Sequence, residues 1–116
     1  MKRLLSKLGL EELEMYGAES RQHKDLKKRA IRILRLAGAK SIVIEAKVKG
    51  VKGRVDVVGY LPGTTIAFEC GNTPQERILG LQTHCDIVVH LPFCWTPEFY
   101  PDVVLARRIR DEVLRR

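Results

Sequence analysis

Arg54-Val55-Asp56-Val57-Val58-Gly59-Tyr60-Leu61-Pro62-Gly63-Thr64-Thr65-Ile66-Ala67-Phe68-Glu69-Cys70 is the stretch that decides the fold. Two β-rich runs flank a Pro-Gly turn, and each run carries one acid among apolar neighbours. With Pro62-Gly63 at the turn centre, Leu61 faces Thr64, and counting back sets Val58 against Ala67, Val57 against Phe68, Asp56 against Glu69 and Val55 against Cys70. Alternation then puts Val55, Val57, Phe68 and Cys70 on an apolar face and both acids on the other. Carboxylates facing each other directly repel, and a slip of one residue would separate them. A divalent cation neutralises such a pair, and Mg²⁺ favours one or two carboxylates completed by water and phosphate.

Outward from the hairpin the chain alternates structure types. Upstream, Ser20 caps a helix with Leu26, Ala30, Ile33, Leu34 and Ala37 on one stripe and Gly38 beyond its end. Residues 41 to 49 read as a first strand, and Glu45 and Lys47 share the acid face whenever facing residue numbers sum to an odd number. Downstream, Thr73-Pro74-Gln75-Glu76 reads as a capping box opening a helix to about Thr83. Residues 85 to 91 form a strand whose crossover length predicts parallel pairing, and a last helix starts at Pro101 or Asp102. An additional amphipathic helix is expected over residues 3 to 16. The expectation is an α/β fold of one domain spanning residues 1 to 116.

Composition narrows the function. The chain has 116 residues, and 21 Lys and Arg against 14 Asp and Glu give a net charge of +7, which favours a polyanionic partner. Lys24, Lys28 and Arg32 on the first capped helix, with Lys52 and Arg54 before the second strand, are the candidate phosphate contacts. Cys70, Cys85 and Cys94 lack metal-finger spacing and read as reduced thiols. No apolar run reaches the roughly 20 residues that span a bilayer, so no membrane association and a cytoplasmic location are expected. His23, one turn from Lys27, reads as an exposed helical histidine, with a proton carrier facing the acids as the alternative; His90, in an apolar strand, reads as a satisfied core histidine.

The run Gly53-Arg54-Val55-Asp56-Val57-Val58-Gly59, followed by Ile66-Ala67-Phe68-Glu69-Cys70-Gly71 in an α-β-β-β-α-β order, resembles the PD-(D/E)xK, or restriction-endonuclease-like, nucleases, including archaeal Holliday-junction resolvases. The likeness covers about residues 19 to 92. It implies a restriction-endonuclease-like αβββαβ core with a mixed sheet, to which the apolar spacing at either end adds N- and C-terminal helices. It further implies Mg²⁺- or Mn²⁺-dependent cleavage of DNA, including branched or junction DNA. Asp56, Glu69 and the backbone carbonyl of Cys70 would be metal ligands, Glu45 an additional acid, and Glu19 a weaker candidate. The pattern expects lysine two residues after the glutamate, but Gly71 stands there; Lys47 is the candidate replacement. A homodimer is expected, because cutting two strands takes two sites. The alternatives are a catalytically degenerate nucleic-acid-binding module and an interaction subunit of a larger complex.

Overall fold

The computed structural model describes residues 20–94, 98 and 101–116. The helix expected over residues 3 to 16 and the candidate Glu19 lie outside them. Helix α1 (Arg21–Leu36) begins at Ser20, whose hydroxyl accepts the His23 N–H at 3.1 Å, and ends where Gly38 takes φ +92°. The strands β1 (Ser41–Ala46), β2 (Val55–Leu61) and β3 (Thr64–Cys70) follow. Helix α2 (Gln75–Gln82), strand β4 (Ile87–Leu91) and helix α3 (Asp102–Arg115) complete the order.

The four strands form one mixed sheet in the order β1-β2-β3-β4, with antiparallel pairs β1–β2 and β2–β3 and a parallel pair β3–β4. This is the α/β, αβββαβ arrangement with a C-terminal helix that the sequence predicts. Leu61 pairs with Thr64, Val58 with Ala67 and Val57 with Phe68, so the hairpin register is the one set by the Pro62-Gly63 turn. Antiparallel neighbours need only a tight turn, whereas the parallel pair requires the crossover that α2 supplies.

Helices cover both faces. On one, the α1 stripe of Leu26, Ala30, Ile33 and Leu34 meets Val57, Ile66, Phe68 and Cys70, and Ala106 and Ile109 of α3 join them. On the other, Leu81 of α2 and Cys85 pack on Ala46, Val55, Val58 and Ala67. Gly59 lets α1 approach closely, since a Cβ there would sit 2.5 Å from Leu34 Cδ2.

Three local expectations need correction. The capping box is absent: α2 begins at Gln75, and Pro74 occupies the N-cap position with φ −59° and ψ 145°. Proline's fixed φ suits that extended conformation, which places Thr73 one residue too early to cap. The first strand stops at Ala46 rather than residue 49, after Glu45 adopts φ +53°. Finally, Val55 does not share a face with Val57. Val55 joins the α2-side cluster and Val57 the α1-side cluster, so strict alternation fails at Asp56.

Candidate active site

The acids lie where the regular ladder between β2 and β3 gives way to side chains. Backbone pairing is recorded from Leu61↔Thr64 to Val57↔Phe68. Beyond that point, Asp56 N–H donates to Glu69 Oε2 at 3.2 Å, and Cys70 N–H donates to Asp56 Oδ2 at 2.8 Å. Each acid thus replaces a main-chain acceptor, which fixes both carboxylates to inner strands of the sheet. Because strict alternation fails at Asp56, its Oδ2 reaches α1 and lies 3.3 Å from His23 Nε2. Glu69 instead leans to α2, with Oε1 3.4 Å from Arg77 Nε. The two acids are neighbours, but they do not stand side by side on one face as strict alternation predicts.

Glu69 is 6% exposed. Desolvation pushes its carboxyl pKa above the ordinary glutamate range, and the negative charge of Asp56 adds to the rise. Hydrogen bonding from Asp56 N–H and the charge of Arg77 oppose that rise without cancelling it.

Glu45 is the next acid along the sheet. In the β1–β2 register, Ile44 pairs with Val57 and Ala46 with Val55, which leaves Glu45, with φ +53°, opposite Asp56, where β2 loses its alternation. Its carboxylate accepts from Lys27 Nζ at 2.6 Å, and the lysine side chain is only 7% exposed. The cation paired with Glu45 is therefore Lys27 of α1. Its spacing with Ala30 and Leu34 places it within the helix's apolar stripe, which is the sequence signal that could have singled it out. Arg77, eight residues after Glu69, has no comparable signal.

Lys47 is exposed beyond the end of β1. Gly71 has φ +92°, and a Cβ there would fall 2.8 Å from Cζ of Phe93. A lysine at this position would need both a strained backbone and a displaced ring. His90 Nε2 lies 2.6 Å from the Gly71 carbonyl, so this histidine has a polar partner.

The other candidate contacts are dispersed. Lys24 and Lys28, with Arg21 and Asp25, line an open cavity of about 340 Å³ along the start of α1. Arg32 Nε is 3.8 Å from Asp102 Oδ2, and Arg29 reaches the same oxygen at 2.9 Å, tying α1 to α3. Arg54 Nη1 donates to the Glu45 carbonyl at 3.1 Å, and Lys52 is exposed on the β1–β2 loop.

Among the described residues, no three His, Cys, Asp or Glu side chains form a metal-holding group. Asp56 and Glu69 offer two hard carboxylate donors, the kind of oxygen ligand that Mg²⁺ takes together with water. The donor chemistry therefore fits a Mg²⁺-like ion completed by water. No helix among the described residues is long and apolar enough to cross a membrane. No protein-family model, curated protein or solved structure matches the chain.

Proposed function

We propose that the chain is a metal-dependent DNA endonuclease that hydrolyses phosphodiester bonds, with branched or junction DNA within its substrate range. The reading is carried by the interlocked placement of Asp56 and Glu69 on adjacent inner strands, with Lys27, His23 and Arg77 around them. The αβββαβ scaffold and the net charge of +7 are consistent with it.

Asp56, Glu69 and the carbonyl of Cys70 would hold Mg²⁺ or Mn²⁺, which supplies a water activated for in-line attack and a Lewis acid for the phosphoryl oxygen. Glu45 holds Lys27 against the strands, and that ammonium can stabilise negative charge developing on phosphate. His23, in contact with Asp56, can carry a proton to or from the reacting oxygens. Two such sites in a homodimer would cut two strands.

Asp56→Asn and Glu69→Gln test the reading. Each should abolish cleavage of duplex and four-way-junction DNA with Mg²⁺ or Mn²⁺, while DNA binding persists or tightens as a charge facing phosphate is lost. A parent protein inert on duplex, single-stranded and junction DNA would overturn it.

A second reading, a nuclease-like fold that binds DNA without cutting it, has a specific observation behind it. Protein cations already pair with Glu45 and Glu69, and Gly71 occupies the position of the family lysine. Under that reading DNA binding survives in every site variant and no metal supports cleavage.

A further inference from the structure

The loop joining β1 to β2, residues 47–54, reads Lys-Val-Lys-Gly-Val-Lys-Gly-Arg, four cations and no acid. Three separate contacts fix its path. Val48 and Val51 pack on the cluster of Ala46, Val55, Val58 and Leu81, and Val51 N–H closes a turn onto the Val48 carbonyl at 3.0 Å. Gly50, with φ +86°, lies so near the His84 imidazole that a Cβ would fall 2.5 Å from Cε1. From the start of α2, Arg77 forks across the end of the loop: Nη1 donates to the Lys52 carbonyl and Nη2 to the Arg54 carbonyl at 2.8 Å. The same guanidinium presents Nε to Glu69.

The side chains left outside this framework are cationic. Lys47, Lys49 and Lys52 are exposed, and among the described residues none of the three makes an ion pair. Ordering a loop costs conformational entropy, and holding like charges together adds repulsion. A polyanion with regularly spaced charges offsets that repulsion, and a grip already ordered loses less entropy on binding.

We propose that loop 47–54 is a preorganised grip for the phosphate backbone of duplex DNA, and that Arg77 is the positioning residue tying this grip to Glu69. The choice of DNA as the polyanion rests on the reading above; the ordered basic loop and its Arg77 fork are independent of catalysis. Arginine is required because a rigid fork reaches two carbonyls and a carboxylate together, whereas lysine presents a single point of charge.

The test is binding of a labelled duplex in EDTA, measured by fluorescence anisotropy over a range of salt, with amide hydrogen exchange on the free protein. Lys49→Gln combined with Lys52→Gln changes exposed side chains only and should lower the salt slope by about 1.8, or roughly 0.9 for each of two contacts. Arg77→Lys keeps the charge near Glu69 but loses the fork. It should speed exchange in the loop and weaken binding about tenfold, as ordering then has to accompany binding. An unchanged slope in the double variant, or a parent that does not bind duplex, overturns the grip. Parental exchange and affinity in Arg77→Lys overturn the positioning role. A parent that binds through this loop yet cuts no DNA with Mg²⁺ or Mn²⁺ supports the grip and removes the nuclease reading.

Discussion

Lys27 and Glu45 form an ion pair whose partners are buried to very different extents: the lysine side chain is 7% exposed and the glutamate 39%. Removing either partner therefore has different consequences. Lys27→Met leaves a carboxylate that water can reach and fills the lysine's place with apolar atoms, so it should cost about 1 kcal/mol or less. Glu45→Ala takes the carboxylate from a buried ammonium and should cost about 3 kcal/mol. Urea denaturation of both variants and of the double variant checks the asymmetry; equal costs would show that burial does not govern this pair.

Glu45→Gly should be less destabilising than Glu45→Ala by about 1 kcal/mol, because φ +53° suits glycine and strains a residue with a Cβ. The comparison removes the same carboxylate in both proteins and isolates the backbone contribution. An alanine variant as stable as the glycine variant would mean that the turn in β1 carries no strain.

The raised pKa of Glu69 makes stability depend on pH in a definite direction. The folded protein holds this proton at pH values where the unfolded chain has released it, so Glu69's contribution falls as pH rises from the ordinary glutamate range through the folded pKa. Glu69→Gln, neutral at every pH, should melt higher than the parent at pH 7, with the difference shrinking in acid. Thermal melts from pH 3 to pH 8 read this directly; a difference that grows in acid would reverse the sign.

Gly71→Ala should destabilise the protein by about 1–3 kcal/mol, from the cost of a non-glycine residue at positive φ, with the Phe93 ring adding to it. Adding Phe93→Ala should recover only the steric part. Gly71→Lys should therefore yield a weakened fold, since it meets the same backbone strain and the same ring. Full stability in Gly71→Lys would show that the ring and backbone yield easily.

The sequence is informative wherever local rules act alone. The Ser20 cap, the Leu26, Ala30, Ile33, Leu34 and Ala37 stripe, Gly38 and the Pro62-Gly63 register all follow from spacing and turn chemistry, and each is found in the structure. The region around Asp56 is less legible, because period-2 alternation assumes a regular strand. The structure instead gives Glu45 φ +53° and breaks the alternation of β2 at Asp56, which takes Asp56 to His23 and leaves Glu69 with Arg77. Lys27 shares helical spacing with the buried Ala30 and Leu34, a signal present in the sequence, but its pairing with Glu45 follows only once α1 is docked. Arg77 acts through carbonyls 23 and 25 residues away in sequence, contacts that no local pattern records.

Asp56 and Glu69 occupy β2 and β3, the two interior strands of a four-stranded sheet, while β1 and β4 form its edges. Fraying can strip an edge strand, but separating β2 from β3 dismantles the core packed on both faces. The amides of Asp56 and Cys70, bonded to the two carboxylates, close the end of this interior pair where main-chain pairing stops. Their exchange with solvent should therefore report how firmly the two carboxylates hold the strand ends together, ahead of the Val57 and Phe68 amides that open with the core.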